Sequence, residues 1–293
     1  MYQRVMHEFY STPWAILPEK LQAIAELLNS RASGQRMAID DIVARSDGHE
    51  QSQISVTGAV AVIPIYGVIA QRMDMFSQFS GGTSTDRVTK QIQSAIADPS
   101  VGSILLDIDS PGGSVYGVAE LASEILAARD KKPITAIANS LAASAAYWIG
   151  SAASEFIVTP GGEVGSIGVI TAHTDVSKFE QDLGMKTTII SAGKYKAEGN
   201  QFEPLAEEAK AAIQMRIEEY YAMFTKAVAK NRNAKISDVR EGFGQGRVVG
   251  AQQAVSLGMA DTIATYDETL KRLTKGKASS KNRSQRLELQ NRI

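Results

Sequence analysis

The sequence contains no cysteine and only three histidines, His7, His49 and His173. Because a disulfide framework, a thiolate zinc site and a cysteine nucleophile all require cysteine, these classes are excluded. Three histidines offer little for a histidine-rich metal centre, and neither a metal nor a cofactor is expected. The formal net charge of −1 argues against nucleic-acid binding by the surface as a whole.

Long hydrophobic runs are also missing. The longest apolar stretches, at 59–70 and 134–138, fall far short of the roughly 20 residues that span a bilayer. Residues 1–18 have no basic region followed by an apolar stretch, so we expect no secretory signal and a cytoplasmic protein. The remaining composition, 44% hydrophobic and 22% charged, is typical of a globular protein.

The chain divides into three predicted parts. Residues 1–57 are expected to form an N-terminal arm, with a helix after Pro18 where apolar residues recur at helical spacing, followed by a polar linker. Residues 58–267 carry the pattern of one compact α/β domain. Residues 268–293 form a basic tail that we expect to be solvated and flexible, and that is the one part of the chain suited to binding nucleic acid.

Buried-type strands alternate with helical segments through the α/β part, which predicts βαβ crossovers and a largely parallel sheet flanked by helices. The predicted strands are 60–66, 102–108, 134–138, 156–159, 168–172 and 187–191, and the predicted helices are 86–97, 115–129, 141–153, 176–183, 204–230 and 248–257.

A glycine pair follows the second predicted strand, in the segment Asp109–Gly113. Gly112 and Gly113 allow a sharp turn and present bare backbone N–H groups, which can hold a phosphate or a developing oxyanion. A Pro-Gly-Gly turn is also an ordinary connection between a strand and a helix. This segment alone leaves both interpretations open.

A serine, Ser144, lies among alanines where a strand is expected to pass into a helix. The backbone N–H groups at such a junction suit a nucleophile beside an oxyanion site. The alternative is a small residue that allows close helix packing. The surrounding sequence is not the G-x-S-x-G motif of the common α/β hydrolases.

Two lysines, Lys194 and Lys196, follow the last predicted strand. A lysine can act as a general base if burial lowers its pKa from about 10.4 towards neutrality. The alternative is a pair of solvated loop residues. His173, with Asp175 two residues further on, is the other candidate base, but nothing in the spacing singles it out.

Taken together, four blocks of the sequence resemble the signal peptide peptidase A family of serine peptidases, and within it the bacteriophage branch is the most similar. The blocks are Leu105–Gly113, Ala142–Tyr147, Gly165–Val169 and Ser191–Lys196. The resemblance covers about residues 58–266. It implies a ClpP/crotonase-like fold, built from repeated β-β-α units with a largely parallel sheet flanked by helices.

The resemblance also implies a Ser-Lys dyad. The residues it assigns are Ser144 as nucleophile, Lys196 as general base with Lys194 as the competing assignment, Ser166 as the residue that orients the lysine, Gly113 and Ala145 as oxyanion-hole donors, and Gly112 as the residue that allows the turn.

By the same resemblance the chain is expected to be a homo-oligomeric prohead protease that processes phage scaffold, portal or coat protein during head assembly, in the host cytoplasm or the prohead. A cytosolic peptidase acting on signal-peptide remnants or other peptides is one alternative. A catalytically silent capsid assembly protein is another. An acyl-CoA enzyme of the crotonase type is a fourth hypothesis, which would need no lysine at position 196.

Overall fold

The computed structural model describes residues 9–10, 12–32, 54–72 and 82–275. Most of the predicted linker and most of the basic tail lie outside these residues. The strands are β1 (Trp14–Ile16), β2 (Ser55–Thr57), β3 (Val60–Tyr66), β4 (Ile69–Ala70), β5 (Thr83–Ser84), β6 (Ser103–Ser110), β7 (Gly112–Ser114), β8 (Ile134–Ala143), β9 (Glu155–Val158), β10 (Glu163–Gly165), β11 (Val248–Gly250) and β12 (Thr262–Ile263). The helices are α1 (Pro18–Ala32), α2 (Thr85–Ala97), α3 (Val118–Ala128), α4 (Ala145–Ser151), α5 (Ser177–Asp182), α6 (Glu207–Asn231), α7 (Ala251–Ser256) and α8 (266–275).

Three parallel strands, β3, β6 and β8, form the centre of the larger sheet. Each is a run of mostly aliphatic residues whose side chains are largely buried, as parallel strands covered on both faces require. The strand order is β11-β10-β8-β6-β3-β2. β8 is long enough to pair with β9 near its start and with β10 at its end. The predicted α/β class, with a largely parallel sheet, is confirmed.

The two faces of this sheet are covered by different helices. One face joins the main core, in which α2, α3 and α4 are packed and the Trp148 ring stacks on Phe224 of α6 with the centroids 4.6 Å apart. The opposite face carries Leu105 and Ile137, which pack against Leu270 and neighbouring apolar residues of α8. The predicted boundary at residue 267 therefore falls within a helix that contributes to the core.

A second, smaller sheet has the order β1-β7-β4-β5. In it, β1 from the N-terminal arm pairs antiparallel with β7. Trp14 and Ile16 of β1 belong to a separate apolar cluster with Phe9 and two leucines of α1. The arm predicted at 1–57 thus contains a strand that is hydrogen-bonded to the α/β domain, as well as the helix expected after Pro18.

Several predicted elements differ from the structure. The strand predicted at 187–191 is wrong, because the segment is irregular, Ile190 is 95% exposed, and none of the strands in the described part of the chain pairs with it. The strand predicted at 168–172 is reduced to an isolated bridge at Ile170. The helix predicted at 141–153 begins only after β8 ends, at residue 145, because parallel pairing with β10 keeps 141–143 extended. The short strands β1, β2, β4, β5, β7, β10, β11 and β12 were not predicted.

Candidate active site

Ser144 occupies a strained junction between β8 and α4. Its backbone has φ 55° and ψ −116°, a region that residues with a Cβ rarely enter. Its N–H donates to the carbonyl oxygen of Gly165 over 2.7 Å, and its own carbonyl accepts the first bond of the helix, from Trp148 N–H, over 2.9 Å. These two bonds hold the serine in a conformation that it would not adopt alone.

The Ser144 side chain faces the segment that follows β10. Ser144 is 1% exposed, and its hydroxyl donates to the carbonyl oxygen of Gly168 over 3.4 Å, a long and therefore weak hydrogen bond. A hydroxyl held this loosely remains available to a base.

The glycine pair of β7 lies directly beside this serine. Gly112 has φ 97°, and an ideal Cβ placed on it would lie 3.0 Å from the Ser144 Cβ. Gly113 follows it in the strand. Ala145 is the first residue of α4, so its N–H has no acceptor within the helix. The structure therefore brings together the nucleophile candidate, the turn glycine and the strand that carries the predicted Gly113 donor.

Ser166 is next to Gly165, whose carbonyl fixes Ser144. It is buried, it also has a positive φ of 54°, and its N–H donates to the carbonyl oxygen of Arg247 over 2.8 Å. Its hydroxyl has no hydrogen-bond partner in the part of the chain that the structure describes. Two neighbouring serines with left-handed backbone therefore flank the same end of the sheet.

The two lysines lie in the exposed segment after α5, and neither amine is hydrogen-bonded to Ser144 or Ser166. Lys194 Nζ contacts the Tyr195 hydroxyl at 2.6 Å and Glu208 Oε1 at 3.1 Å. These two hydrogen bonds, which Lys194 donates to the Tyr195 hydroxyl and to the Glu208 carboxylate, raise the pKa of Lys194 above its ordinary value, the first more than the second. Lys196 is exposed, and its backbone N–H donates to the carbonyl oxygen of Gly193 over 3.1 Å. Among the described residues, Ser144 included, its amine has no hydrogen-bond or ion-pair partner.

His173 is engaged elsewhere. Its Nε2 lies 3.0 Å from the carbonyl oxygen of Asn200, and Val176 N–H donates to Gln201 O nearby, so these contacts join the two ends of the exposed segment. Asp175 accepts hydrogen bonds from Ser177, which lower the pKa of its carboxyl. Neither residue contacts Ser144, and the alternative Ser-His-Asp arrangement is not formed.

Large apolar side chains are exposed on the segment that carries the lysines and on the helix α5 before it. We refer to them together as the apolar strip. Its members are Phe179, Leu183, Met185, Ile189 and Ile190, which are between 43% and 95% exposed. Single exposed apolar residues are ordinary, but a concentration of this kind in one segment marks an interaction surface.

Two further classes of site can be tested against the described ranges. Within residues 9–10, 12–32, 54–72 and 82–275, no group of three or more His, Asp or Glu residues is placed to hold a metal ion. In the same ranges, none of the helices combines the length and the apolar character that a bilayer crossing needs.

Two contributors to the site were not found from the sequence. Gly165 has no side chain that could suggest a function, and it contributes a backbone carbonyl that accepts a hydrogen bond from Ser144 N–H. The strand β1, with Ala15 at its centre, is too short for a periodic signal. Only the register of the second sheet shows that it lies against Gly112 and Gly113.

A serine forced into a strained turn between a parallel strand and a helix, next to a glycine-rich strand, is the arrangement of a serine hydrolase nucleophile. The comparison with family models is more specific. Peptidase family S49 matches residues 127–280, which is more than half of the chain. The chain belongs to this family, in agreement with the signal peptide peptidase A resemblance.

Among curated proteins, phage members stand out. The chain is 34% identical over 215 residues to the head-tail preconnector protein GP5 of Enterobacteria phage P21, covering 73% of this chain and 42% of that protein. It is 30% identical over 250 residues to the capsid assembly protease C of Escherichia phage lambda, covering 83% and 56%. A putative signal peptide peptidase SppA of Enterococcus faecium is 32% identical over 64% of this chain and 54% of its own length. The chain thus spans about half the length of these relatives.

Proposed function

We propose that this chain is a serine endopeptidase that uses Ser144 as its nucleophile. The observation that carries the proposal is the strained backbone of Ser144, fixed by Gly165 O and placed against the glycine pair of β7. In the proposed mechanism, Ser144 Oγ attacks a peptide carbonyl, and the N–H groups of Gly113 and Ala145 stabilise the oxyanion. Gly112 allows the backbone to approach the serine without a side chain in the way.

Lys196 is the proposed general base. In its neutral form it takes the proton from Ser144 as the bond to the carbonyl carbon forms, and returns it to the leaving amine as the peptide bond breaks. Water then hydrolyses the acyl-enzyme. The ion pair with Glu208 supports the choice of Lys196 over Lys194, because Lys194 is held in its charged form. The Ser166 hydroxyl is proposed to accept a hydrogen bond from the amine and orient it.

The exposed position of Lys196 requires a change before it can reach Ser144. We infer that the dyad is completed when the chain assembles as a homo-oligomer and the exposed segment is covered by a neighbouring copy. The apolar strip supports this inference, since its large side chains lie on the same segment and would be buried by such an assembly. Burial of the segment would also remove water from the lysine, as its role demands.

The proposed substrates are phage head proteins, namely scaffold, portal or coat protein, cleaved in the host cytoplasm or in the prohead. Support comes from the relatives, which include a capsid assembly protease and a head-tail preconnector protein at 30–34% identity. The two alternatives are a peptidase for short peptides and a silent assembly protein. The experiment below distinguishes them.

The test uses wild type, Ser144→Ala and, as a matched control, Ser256→Ala at an exposed position of α7. One sample of each is treated with a fluorophosphonate probe, and separate untreated samples are assayed for cleavage of head proteins or short hydrophobic peptides. We expect Ser144→Ala to lose labelling and cleavage while its circular dichroism stays that of the wild type, and Ser256→Ala to keep both. Unlabelled wild type that still assembles with head proteins would favour the silent alternative. Cleavage of short peptides alone would favour the peptide-degrading one.

A further inference from the structure

The strand β1 lies in a slot between β7 and the segment that follows Ser166. On one side it pairs antiparallel with β7, in the register Trp14 to Ser114, Ala15 to Gly113 and Ile16 to Gly112. On the other side, Trp14 and Ile170 exchange two backbone hydrogen bonds of 2.8 Å. An extended segment of this chain is therefore held from both sides by the backbone next to the candidate nucleophile.

The hydrogen bonds that flank the β1–β7 register show which groups face each other. Leu17 N–H donates to Pro111 O over 3.0 Å, and Val115 N–H donates to Pro13 O over 3.2 Å. Along an antiparallel ladder, every second pair of facing residues is hydrogen-bonded. The Ala15–Gly113 pair lies two residues from each of these bonds, so it is also hydrogen-bonded. The N–H of Gly113 thus faces the carbonyl oxygen of Ala15.

This carbonyl oxygen also lies close to Ser144. An ideal Cβ on Gly112 would lie 2.2 Å from Ala15 O and 3.0 Å from the Ser144 Cβ. Ala15 O and the Ser144 Cβ can therefore be no farther apart than these two distances added together. Ala15 is completely buried. The Ala15 carbonyl therefore faces the N–H of Gly113, a proposed oxyanion donor, and lies beside Ser144, the proposed nucleophile.

We propose that residues 13–17 are an intramolecular pseudosubstrate, which occupies the peptide cleft in the position of a substrate and must leave before another polypeptide can enter. The inference depends on the proposed function, because it takes Ser144 and Gly113 as catalytic groups. The Trp14 side chain anchors the segment, since its Nε1–H donates to Phe9 O over 3.0 Å within the N-terminal apolar cluster. A displacing substrate would be an extended polypeptide with a small residue where Ala15 now lies.

A reversible lock tests this proposal. Trp14 and Ser114 face each other in a pair that is not hydrogen-bonded, the kind with the shorter Cα separation, which suits a disulfide. Because the chain has no cysteine, the double variant Trp14→Cys/Ser114→Cys can form only this bridge within one chain. We expect oxidation to slow both cleavage and fluorophosphonate labelling by about 100-fold or more, since the open state is no longer populated, and a reductant to restore them. Each single cysteine variant is the control and should not respond to the redox state.

The outcomes are distinguishable. The disulfide in the oxidised double variant is verified by mass spectrometry. If this form is labelled and cleaves substrate as fast as the reduced form, the pseudosubstrate proposal is overturned, whereas the proposed function is not. If neither wild type nor the reduced variant is labelled at Ser144, both are overturned.

A second measurement avoids the engineered bridge. Trp14→Ala removes the anchor, and we expect it to lower the KM for a peptide substrate several-fold with little change in kcat, because the competing segment is released. A synthetic peptide of residues 12–18 added to this variant should then inhibit competitively, whereas a scrambled peptide should not. An unchanged KM together with no inhibition by the peptide would contradict the proposal.

Discussion

Gly113 packs so closely against Ile69 that a Cβ on the glycine would lie 1.9 Å from the Ile69 carbonyl oxygen. The neighbouring atom belongs to the backbone of β4, so it cannot turn away as the end of a side chain could. The glycine is thus required by packing as well as by the proposed chemistry of the strand.

We predict that Gly113→Ala destabilises the protein by about 3 kcal/mol, at the upper end of the usual cost of overpacking, and abolishes labelling of Ser144. Gly161→Ala is the matched control. A Cβ on Gly161, in the turn between β9 and β10, meets nothing within 4 Å, so a change of less than about 0.5 kcal/mol is expected. Urea unfolding of the two variants measures the difference, and equal midpoints would contradict the close packing of β7 on β4.

A second prediction concerns the pH dependence of stability. Asp261 accepts two hydrogen bonds from the Arg232 guanidinium, at 2.7 and 2.9 Å, and one from Phe156 N–H at 2.6 Å. Burial acts to raise the pKa of the Asp261 carboxyl, but these hydrogen bonds outweigh it and hold the pKa below its ordinary value. A lowered folded-state pKa means that the stabilisation is fully present above the unfolded-state value of about 3.9 and is lost as the pH falls through the folded-state value.

The Asp261 side chain is 41% exposed, so solvent screens its charge, and Asp261→Asn should cost only about 1 kcal/mol at neutral pH. The difference from wild type should shrink as the solution is made more acidic than about pH 4. Asp182→Asn is the control, because its partner Lys178 is 86% exposed and a surface ion pair of this kind contributes at most about 0.5 kcal/mol. Denaturant unfolding over a range of pH gives both values. A cost for Asp261→Asn that does not vary with pH would show that the charge of Asp261 is not what stabilises the fold.

The fold was predictable where the burial of a strand determines which residues it contains. The runs of β3 and β6 are aliphatic on both faces because parallel strands are covered on both sides, and that pattern is visible without a structure. The position of Ser144 at the end of a strand and the start of a helix was also predictable, but a serine among alanines left a packing role open, and its assignment as nucleophile came from the family resemblance. The aliphatic segment at 187–191 has the same composition, but no strand lies beside it, and composition alone does not supply a partner.

The remaining errors concern pairing over long sequence separations. β1 and β7 are three residues each and are about a hundred residues apart, so neither carries a periodic signal and only the folded register joins them. The same applies to β10 and β11, which fix Gly165 and Ser166 beside Ser144. The backbone carbonyls and short strands around Ser144 could therefore not be predicted from the sequence.

A third prediction addresses assembly. Ile190 is 95% exposed, so Ile190→Asp should leave the melting temperature of the isolated chain unchanged while it weakens association through the apolar strip. Sedimentation velocity should show a smaller species than wild type at the same concentration. Met215→Asp on α6, at a residue that is 59% exposed but outside the strip, is expected to keep the wild-type assembly. Wild type that sediments as a monomer under conditions in which it cleaves substrate would contradict the role proposed for the strip.

The last prediction separates the two lysines. Lys196→Ala should lower kcat by about 10²- to 10⁴-fold, the usual contribution of a general base, with little effect on stability because the side chain is exposed and its amine has no hydrogen-bond partner among the described residues. Lys194→Ala removes the contacts to Tyr195 and Glu208 on an exposed segment, and we expect activity to stay within a few-fold of wild type. Single-turnover cleavage with the two variants measures the effect on the chemical step directly. If Lys194→Ala loses activity and Lys196→Ala keeps it, the base is Lys194, and its ion pair with Glu208 must break on assembly to free the amine.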